Sequence, residues 1–219
     1  MFPAPWYLSN RVGYDKANDV PWSENEDVFY WRGTTTSGYS DGGVWRLQER
    51  QRYVESVEIP GTGLILRNLG GTGEWVSEEV PRQTYAGMFN VHFAKLHQCS
   101  ERDCQEQNEY FEVKTEDIYE ENWKNKFLLD IDGNAFSGRF YTFLQSKSLT
   151  LKQALFRQWH EARIVPWVHY IPFGFNGTDH LEIMRFFTEH EEGKRMAREI
   201  AEECSEWASQ SLRHVDMQA

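Results

Sequence analysis

Three stretches of this 219-residue chain combine residue types and spacings that can do chemistry. The first is Asp130-Ile131-Asp132-Gly133-Asn134-Ala135-Phe136-Ser137-Gly138-Arg139. A short apolar run, Leu128 to Ile131, enters a glycine turn there and leaves as a helix-like run from Ser137 to Leu144. Small residues let a backbone approach a ligand, and unpaired N–H groups at a helix start attract phosphate. Arg139 adds a planar cation that can grip two phosphate oxygens. Together these suit a diphosphate site at the carboxyl edge of a parallel sheet. A tight strand–helix turn, with Arg139 paired to an acid, is the plainer account. The second stretch is Trp31-Arg32-Gly33-Thr34-Thr35-Thr36-Ser37, a loop rich in hydroxyl donors, followed by Arg46, Glu49, Arg50 and Arg52. A solvated helix face explains Arg46 or Arg52 taken singly. The third is Trp159-His160-Glu161 with Pro166-Trp167-Val168-His169-Tyr170-Ile171-Pro172. His169 has the chemistry of an acid or a base, and a hydrogen-bonded structural histidine is the plainer reading.

Other patterns carry less. Gly133 and Gly138 have the spacing of a P-loop, but Arg139-Phe140 stands where the phosphate lysine and the magnesium hydroxyl belong, so a P-loop is rejected. Asp130 and Asp132 lie two apart and share one face of a strand, which permits joint ligation of a divalent ion. Capping of the following turn is the favoured reading. Cys99 and Cys104 lie in a polar stretch beside His97. No second pair follows at zinc spacing, so a short-loop disulfide or two exposed thiols account for them better. Asn176-Gly177-Thr178 is a lone glycosylation sequon.

Elements of both types must position these groups. Asp27 to Trp31 and Lys126 to Ile131 read as buried strands, and Phe89, Val91 and Phe93 alternate with polar neighbours. Leu64-Ile65-Leu66 reads as a short strand, and Ile164 to Ile171 as another closed by Pro172. Helical patterns cover Trp45–Val57, Thr115–Asn122, Leu181–Phe187 after a cap at Asp179, and Glu192–Leu212. Alternating strands and helices predict a three-layer α/β lobe with a mainly parallel sheet. Residues 1–26 read as a linker or N-terminal arm, and 27–219 as one domain, truncated at both ends. With 34 acidic and 23 basic residues the formal charge is −11, which argues against a nucleic-acid partner. No apolar run reaches the roughly 20 residues of a membrane span. The first residues lack the pattern of a signal peptide.

Trp31–Gly38, Phe127–Gln153, Gln158–His160 and Pro166–Pro172 carry a resemblance that extends from about Trp6 to Met217. The chain resembles glycosyltransferase family 90, with its fungal capsule-associated xylosyltransferases and animal protein O-glucosyltransferases, the fungal branch most of all. The resemblance implies the Rossmann-like donor lobe of a GT-B enzyme, a UDP-sugar donor, inverting transfer of a xylose- or glucose-class sugar to a glycan or protein hydroxyl, and no required metal or tightly bound cofactor. It implies donor contacts at Thr34, Arg50, Asn134, Ala135, Phe136, Ser137, Gly138 and Arg139. The family's catalytic aspartate lies upstream of the hydroxyl loop, where Asp15, Asp19 and Asp27 match no motif. The expectation is therefore a donor half whose base lies outside this chain, or a truncated, non-catalytic binding relative. The family points to the endoplasmic reticulum or Golgi lumen, without a targeting signal in this sequence.

Overall fold

The structure, a computed structural model, describes residues 13–71, 73–175, 179–213 and 215. The opening Met1–Trp6 segment and the sequon at 176–178 lie outside them.

Five strands form one parallel sheet: β1 (Glu26–Thr34), β4 (Phe89–Lys95), β5 (Asn125–Ile131), β6 (Leu149–Gln153) and β7 (Ile171–Pro172). Their spatial order is β4-β1-β5-β6-β7. The chain thus leaves β1 toward one side, returns, and builds outward on the other, as in doubly wound flavodoxin-like sheets. A separate antiparallel hairpin, β2 (Thr62–Asn68) and β3 (Trp75–Pro81), sits on the β1–β4 connection. Helices α1 (Glu49–Glu58), α2 (Glu101–Tyr110), α3 (Phe140–Gln145), α4 (His180–Glu189) and α5 (Glu191–Ser211) complete the fold.

Side-chain alternation explains the layers. Phe29 and Trp31 of β1, Phe127, Leu129 and Ile131 of β5, and Leu149 and Leu151 of β6 point to one face. There they meet Tyr53 and Val54 of α1, Met184 and Phe187 of α4, and Ala197, Ile200 and Ala201 of α5. The other face carries Tyr30 and Leu128, packed with Trp123 and with Phe143 of α3. The second half of α5 lays Cys204 and Ala208 against Phe140, Tyr141 and Leu144 of α3. The result is the expected three-layer α/β lobe.

Several elements differ from the sequence reading. The apolar run Ile164–Tyr170 is a turn, and only Ile171–Pro172 joins the sheet. Pro166 has no amide to donate, Trp167 takes a positive φ of 66°, and the Val165 amide donates to His169 Nδ1 at 2.9 Å. Thr115–Ile118 is not helical, and a 3-10 helix spans only Tyr119–Lys124. The reason is Asp117, drawn onto the sheet by the Tyr30 hydroxyl at 2.7 Å and Arg32 Nε at 3.0 Å. Helix α3 starts at Phe140 rather than Ser137, because the Ser137 amide donates to the Asp132 side chain. Asp179 occupies the N-cap position of α4 but caps nothing; its Oδ2 accepts from the Gly174 amide at 2.8 Å.

The polar stretch after Cys99 is helix α2, capped by Ser100, whose Oγ accepts from the Asp103 amide at 3.3 Å. Cys99 and Cys104 are joined by a disulfide across its first turn. The described part of the N-terminal arm packs on the lobe. Tyr14 stacks edge-on to Trp123, Trp22 meets Phe127, and Asp19 accepts from the Tyr14 hydroxyl and the Lys147 amide.

Candidate functional site

In a doubly wound sheet the ligand crevice opens at the carboxyl ends of the strands where the winding reverses. Here that point lies between β1 and β5. The loop after β1 is the hydroxyl-rich one, and the loop after β5 is Asp132 to Arg139. A side chain has no room at Gly33 and would crowd its neighbours at Gly133. A Cβ at Gly33 would sit 2.4 Å from the Trp31 ring, and one at Gly133 would sit 3.0 Å from an Arg50 nitrogen and 3.1 Å from Thr36 Oγ1.

Arg50, from the first turn of α1, joins the two loops. Its guanidinium donates to the carbonyls of Thr34 (3.0 Å), Ile131 (2.9 Å) and Asp132 (2.9 Å), and to Thr36 Oγ1 (2.8 Å). It is buried, and desolvation with the neighbouring Arg139 lowers its pKa to about 10, so it remains a cation at neutral pH. Four of its five N–H groups are committed to the protein. The next residue, Gln51, donates to the Thr35 carbonyl, Gln48 Oε1 and Gln107 Oε1, which ties the loop to α1 and α2. Across the crevice the Gly38 amide donates to Asn134 Oδ1 at 2.9 Å.

Arg139 lies half-buried on the same edge. One NH donates to the Arg32 carbonyl, and its guanidinium stands 5.8 Å from the Trp31 ring centroid, which Arg50 approaches at 5.5 Å. Two cations therefore flank one indole beneath the crevice. Thr34 shares a hydrogen bond with Thr36, Oγ1 to Oγ1, at 3.0 Å. Asn134 and Ala135 are exposed, Phe136 and Gly138 half-buried, and Ser137 buried. The expected site residues thus gather at one sheet edge in two sets. Asn134 lines a cleft of about 780 Å³ with Ser37, Gly38, Glu49 and Gly133, while Thr34, Ser137 and Arg139 are not among the residues that line it. The apolar wall and rim of that cleft include Tyr39, Leu47, Leu155, Phe156 and Phe175, all largely exposed.

The two aspartates of β5 are internal. Asp132 is fully buried; its Oδ1 accepts from the Ser137 amide, and its Oδ2 from the amides of Leu155 and Phe156. It closes the turn, as the sequence suggests, and burial raises its pKa. Asp130 pairs with Lys152, its partner in register on β6, at 2.7 Å. Among the described residues no group of three metal-ligating side chains converges. His160 donates or accepts at Tyr141 OH through Nδ1 at 2.8 Å, and burial depresses its pKa to about 4. His169 is stacked on Trp207 and bonded to the Val165 amide, a structural role. The Glu49 side chain makes no hydrogen bond with any described residue; its Oε1 is buried and unpaired, and desolvation, then Asp132, raises its pKa to about 7.

Sequence reasoning named Arg50 and Thr34, and Thr36 as part of the hydroxyl loop, but not Gln51 or Lys152. Their roles depend on which loops and strands lie side by side. A capping signal, Ser100 followed by Asp103, was available for α2.

The profile of Glycosyl transferase family 90 matches residues 4–219, essentially the whole chain. The chain belongs to that family. It is also similar to an O-glucosyltransferase rumi homolog of Aedes aegypti, at 32% identity over 104 residues. That match takes in 45% of this chain and 25% of the relative, so the chain spans about a quarter of that relative's length. Membership gives the crevice a context: family 90 chemistry is glycosyl transfer, and the crevice lies where a Rossmann-like lobe takes its ligand. Among the described residues no helix is long and apolar enough to cross a membrane.

Proposed function

We propose that this lobe holds the sugar-nucleotide donor, a UDP-sugar, for inverting transfer of a xylose- or glucose-class sugar to a glycan or protein hydroxyl. The observation that carries the reading is the meeting of two glycine strand ends at the winding reversal, clamped by Arg50, with Arg139 beside them. The amides of Asn134, Ala135 and Gly138 donate to no described residue, so they are available to phosphate oxygens. Arg139 supplies the cation that stabilises the leaving diphosphate without a metal. Arg50 acts one layer below, holding the Thr34 and Gly133 loops together and adding positive potential. The relative named as an O-glucosyltransferase supports transfer of a glucose-class sugar to an oxygen of the acceptor.

Inverting transfer also needs a base within hydrogen-bond reach of the acceptor. Asp132 does not fit, because both its oxygens accept backbone amides. Asp15, Asp19 and Asp27 do not fit either. Asp15 caps a 3-10 turn, Asp19 holds Tyr14 and Lys147, and Asp27 pairs with Lys126, all at the amino edge of the sheet. None of these four aspartates is placed to serve as the base, and the exposed apolar rim of the cleft suits a facing lobe that brings the base and the acceptor site. The lumen of the secretory pathway fits the disulfide at Cys99–Cys104.

The test is ligand-linked stability. UDP at about 100 times its dissociation constant raises stability by about 2.7 kcal/mol if it binds only the folded chain. Arg139→Ala removes most of that gain, and the chain alone gives no sugar transfer to glycan or protein acceptors. No UDP-dependent shift in the parent chain refutes the donor reading. Turnover that Arg139→Ala abolishes refutes the need for a facing lobe.

A further inference from the structure

Arg139 is a cation at the crevice without an acid of its own. Among the described residues no carboxylate pairs with it, and its side chain makes one hydrogen bond, to the Arg32 carbonyl. The acids of the neighbouring strands are engaged elsewhere: Asp117 with Arg32 and Tyr30, Asp130 with Lys152, and Asp132 with three backbone amides. Its close charged neighbours are cations. Arg32 lies on the adjoining strand, and Arg50 is near enough for the two guanidiniums to repel, which Asp130, Glu49 and Asp132 offset only at Arg50.

What holds the Arg139 guanidinium is aromatic. It stands 5.8 Å from the Trp31 ring centroid and 5.6 Å from that of Phe143, and Trp31 also faces Arg50 at 5.5 Å. These distances lie within the roughly 6 Å reach of a cation–π contact, for which indole is the strongest partner. The indole is not kept for its polar atom. Its Nε1 is buried with no partner among the described residues, a cost that phenylalanine would avoid. A ring also differs from an acid in what it leaves over. A carboxylate would neutralise Arg139 and occupy its N–H groups. A π face holds the guanidinium flat and leaves its charge and its in-plane donors to an anion. Two guanidiniums beside one ring, with no counter-ion at Arg139, suit a diphosphate.

We propose that Trp31 is a positioning residue of the anion site, holding Arg139 by cation–π contact so that its free N–H groups meet the donor's diphosphate. Trp31 is buried, touches no ligand and acts through Arg139. This rests on the donor reading above and adds the residue that aims its cation.

The experiment is a double-mutant cycle read by calorimetry against UDP: the parent chain, Trp31→Leu, Arg139→Ala and the double variant. Trp31→Leu leaves a cavity in the core, so far-UV circular dichroism checks that it folds. Trp31→Phe, which keeps a ring of weaker π character, runs the same cycle and replaces Trp31→Leu if that variant does not fold. Trp31→Leu weakens UDP by about 10-fold and Trp31→Phe by about 3-fold, as loss or weakening of a desolvated cation–π contact requires. In the Arg139→Ala background both losses shrink to within about 2-fold, because the group that Trp31 aims is gone. A role in packing, or one exerted through Arg50, does not depend on Arg139, so losses of equal size in the two backgrounds overturn the inference. Unchanged UDP affinity in the Trp31 variants overturns it too. When Arg139→Ala still weakens UDP in either case, the donor site stands and only the role of Trp31 falls. Absence of UDP binding to the folded parent chain overturns both.

Discussion

Arg50→Met tests whether the crevice is built by the protein before any ligand arrives. The substitution keeps an unbranched chain of similar length and removes the guanidinium. Lost with it are hydrogen bonds to the carbonyls of Thr34, Ile131 and Asp132 and to Thr36 Oγ1, all between 2.8 and 3.0 Å. Also lost is the cation that faces Asp130 and Asp132. Each charge-assisted bond is worth about 1.5–3 kcal/mol in isolation, but the desolvation of Arg50 offsets much of their sum. Breaking one side of a buried charge network costs about 3–5 kcal/mol, and that range applies here. For a chain of this size about 4 kcal/mol lowers Tm by about 8–16 °C. Urea unfolding followed by far-UV circular dichroism measures the loss, with Arg139→Ala as the comparison. Arg139 is half-buried with one bond to a backbone carbonyl, so its loss costs about 1 kcal/mol. A cost for Arg50→Met below about 1 kcal/mol, or equal costs for the two variants, refutes the idea that Arg50 clamps the loops.

Three further outcomes follow from the same geometry. The Glu49 pKa of about 7 lies above its ordinary value of 4.5, so between those pH values the folded chain binds more protons than the unfolded one. Stability attributable to Glu49 therefore falls as pH rises through that window. Glu49→Gln should gain about 1–2 kcal/mol over the parent at pH 8 and little at pH 4, after allowing for solvent screening of a half-buried group. A pH-independent difference in paired chemical denaturations contradicts this. Gly133→Ala places a methyl against Arg50 and Thr36, and should destabilise by about 1–3 kcal/mol; a neutral or stabilising effect on Tm would show that the turn has slack. Reducing Cys99–Cys104, which are 5 residues apart, should cost about 2 kcal/mol and loosen the start of α2. Asp103 in that turn holds Ser40 and the Gly43 amide, so hydrogen exchange should rise in residues 38–45 as well; exchange confined to 99–104 would refute the coupling.

What the sequence determined by itself was local. The continuous apolar run of β5, the alternation in β4 and the long amphipathic pattern of α5 each declare an element, because burial on one or both faces is written in residue order. The Asp132–Arg139 turn and the Thr34 loop were legible for the same reason: their glycines and hydroxyls are adjacent in the chain. Tertiary structure decided the rest. Ile164–Tyr170 is as apolar as a strand, yet a proline and a positive φ at Trp167 turn it out of the sheet. Helix α2 is polar throughout, and its buried Asp103 and Gln107 are stabilised by Ser40 and Gln51, far away in sequence. The same holds for the site. Arg50 and Asp132 are separated by 82 positions, and only the placement of β5 beside β1 turns a helix-face arginine into the clamp of a crevice. Residue types and spacing fix which groups are available for chemistry. Which of them remain free to meet a ligand depends on partners that only the folded sheet brings within hydrogen-bond distance.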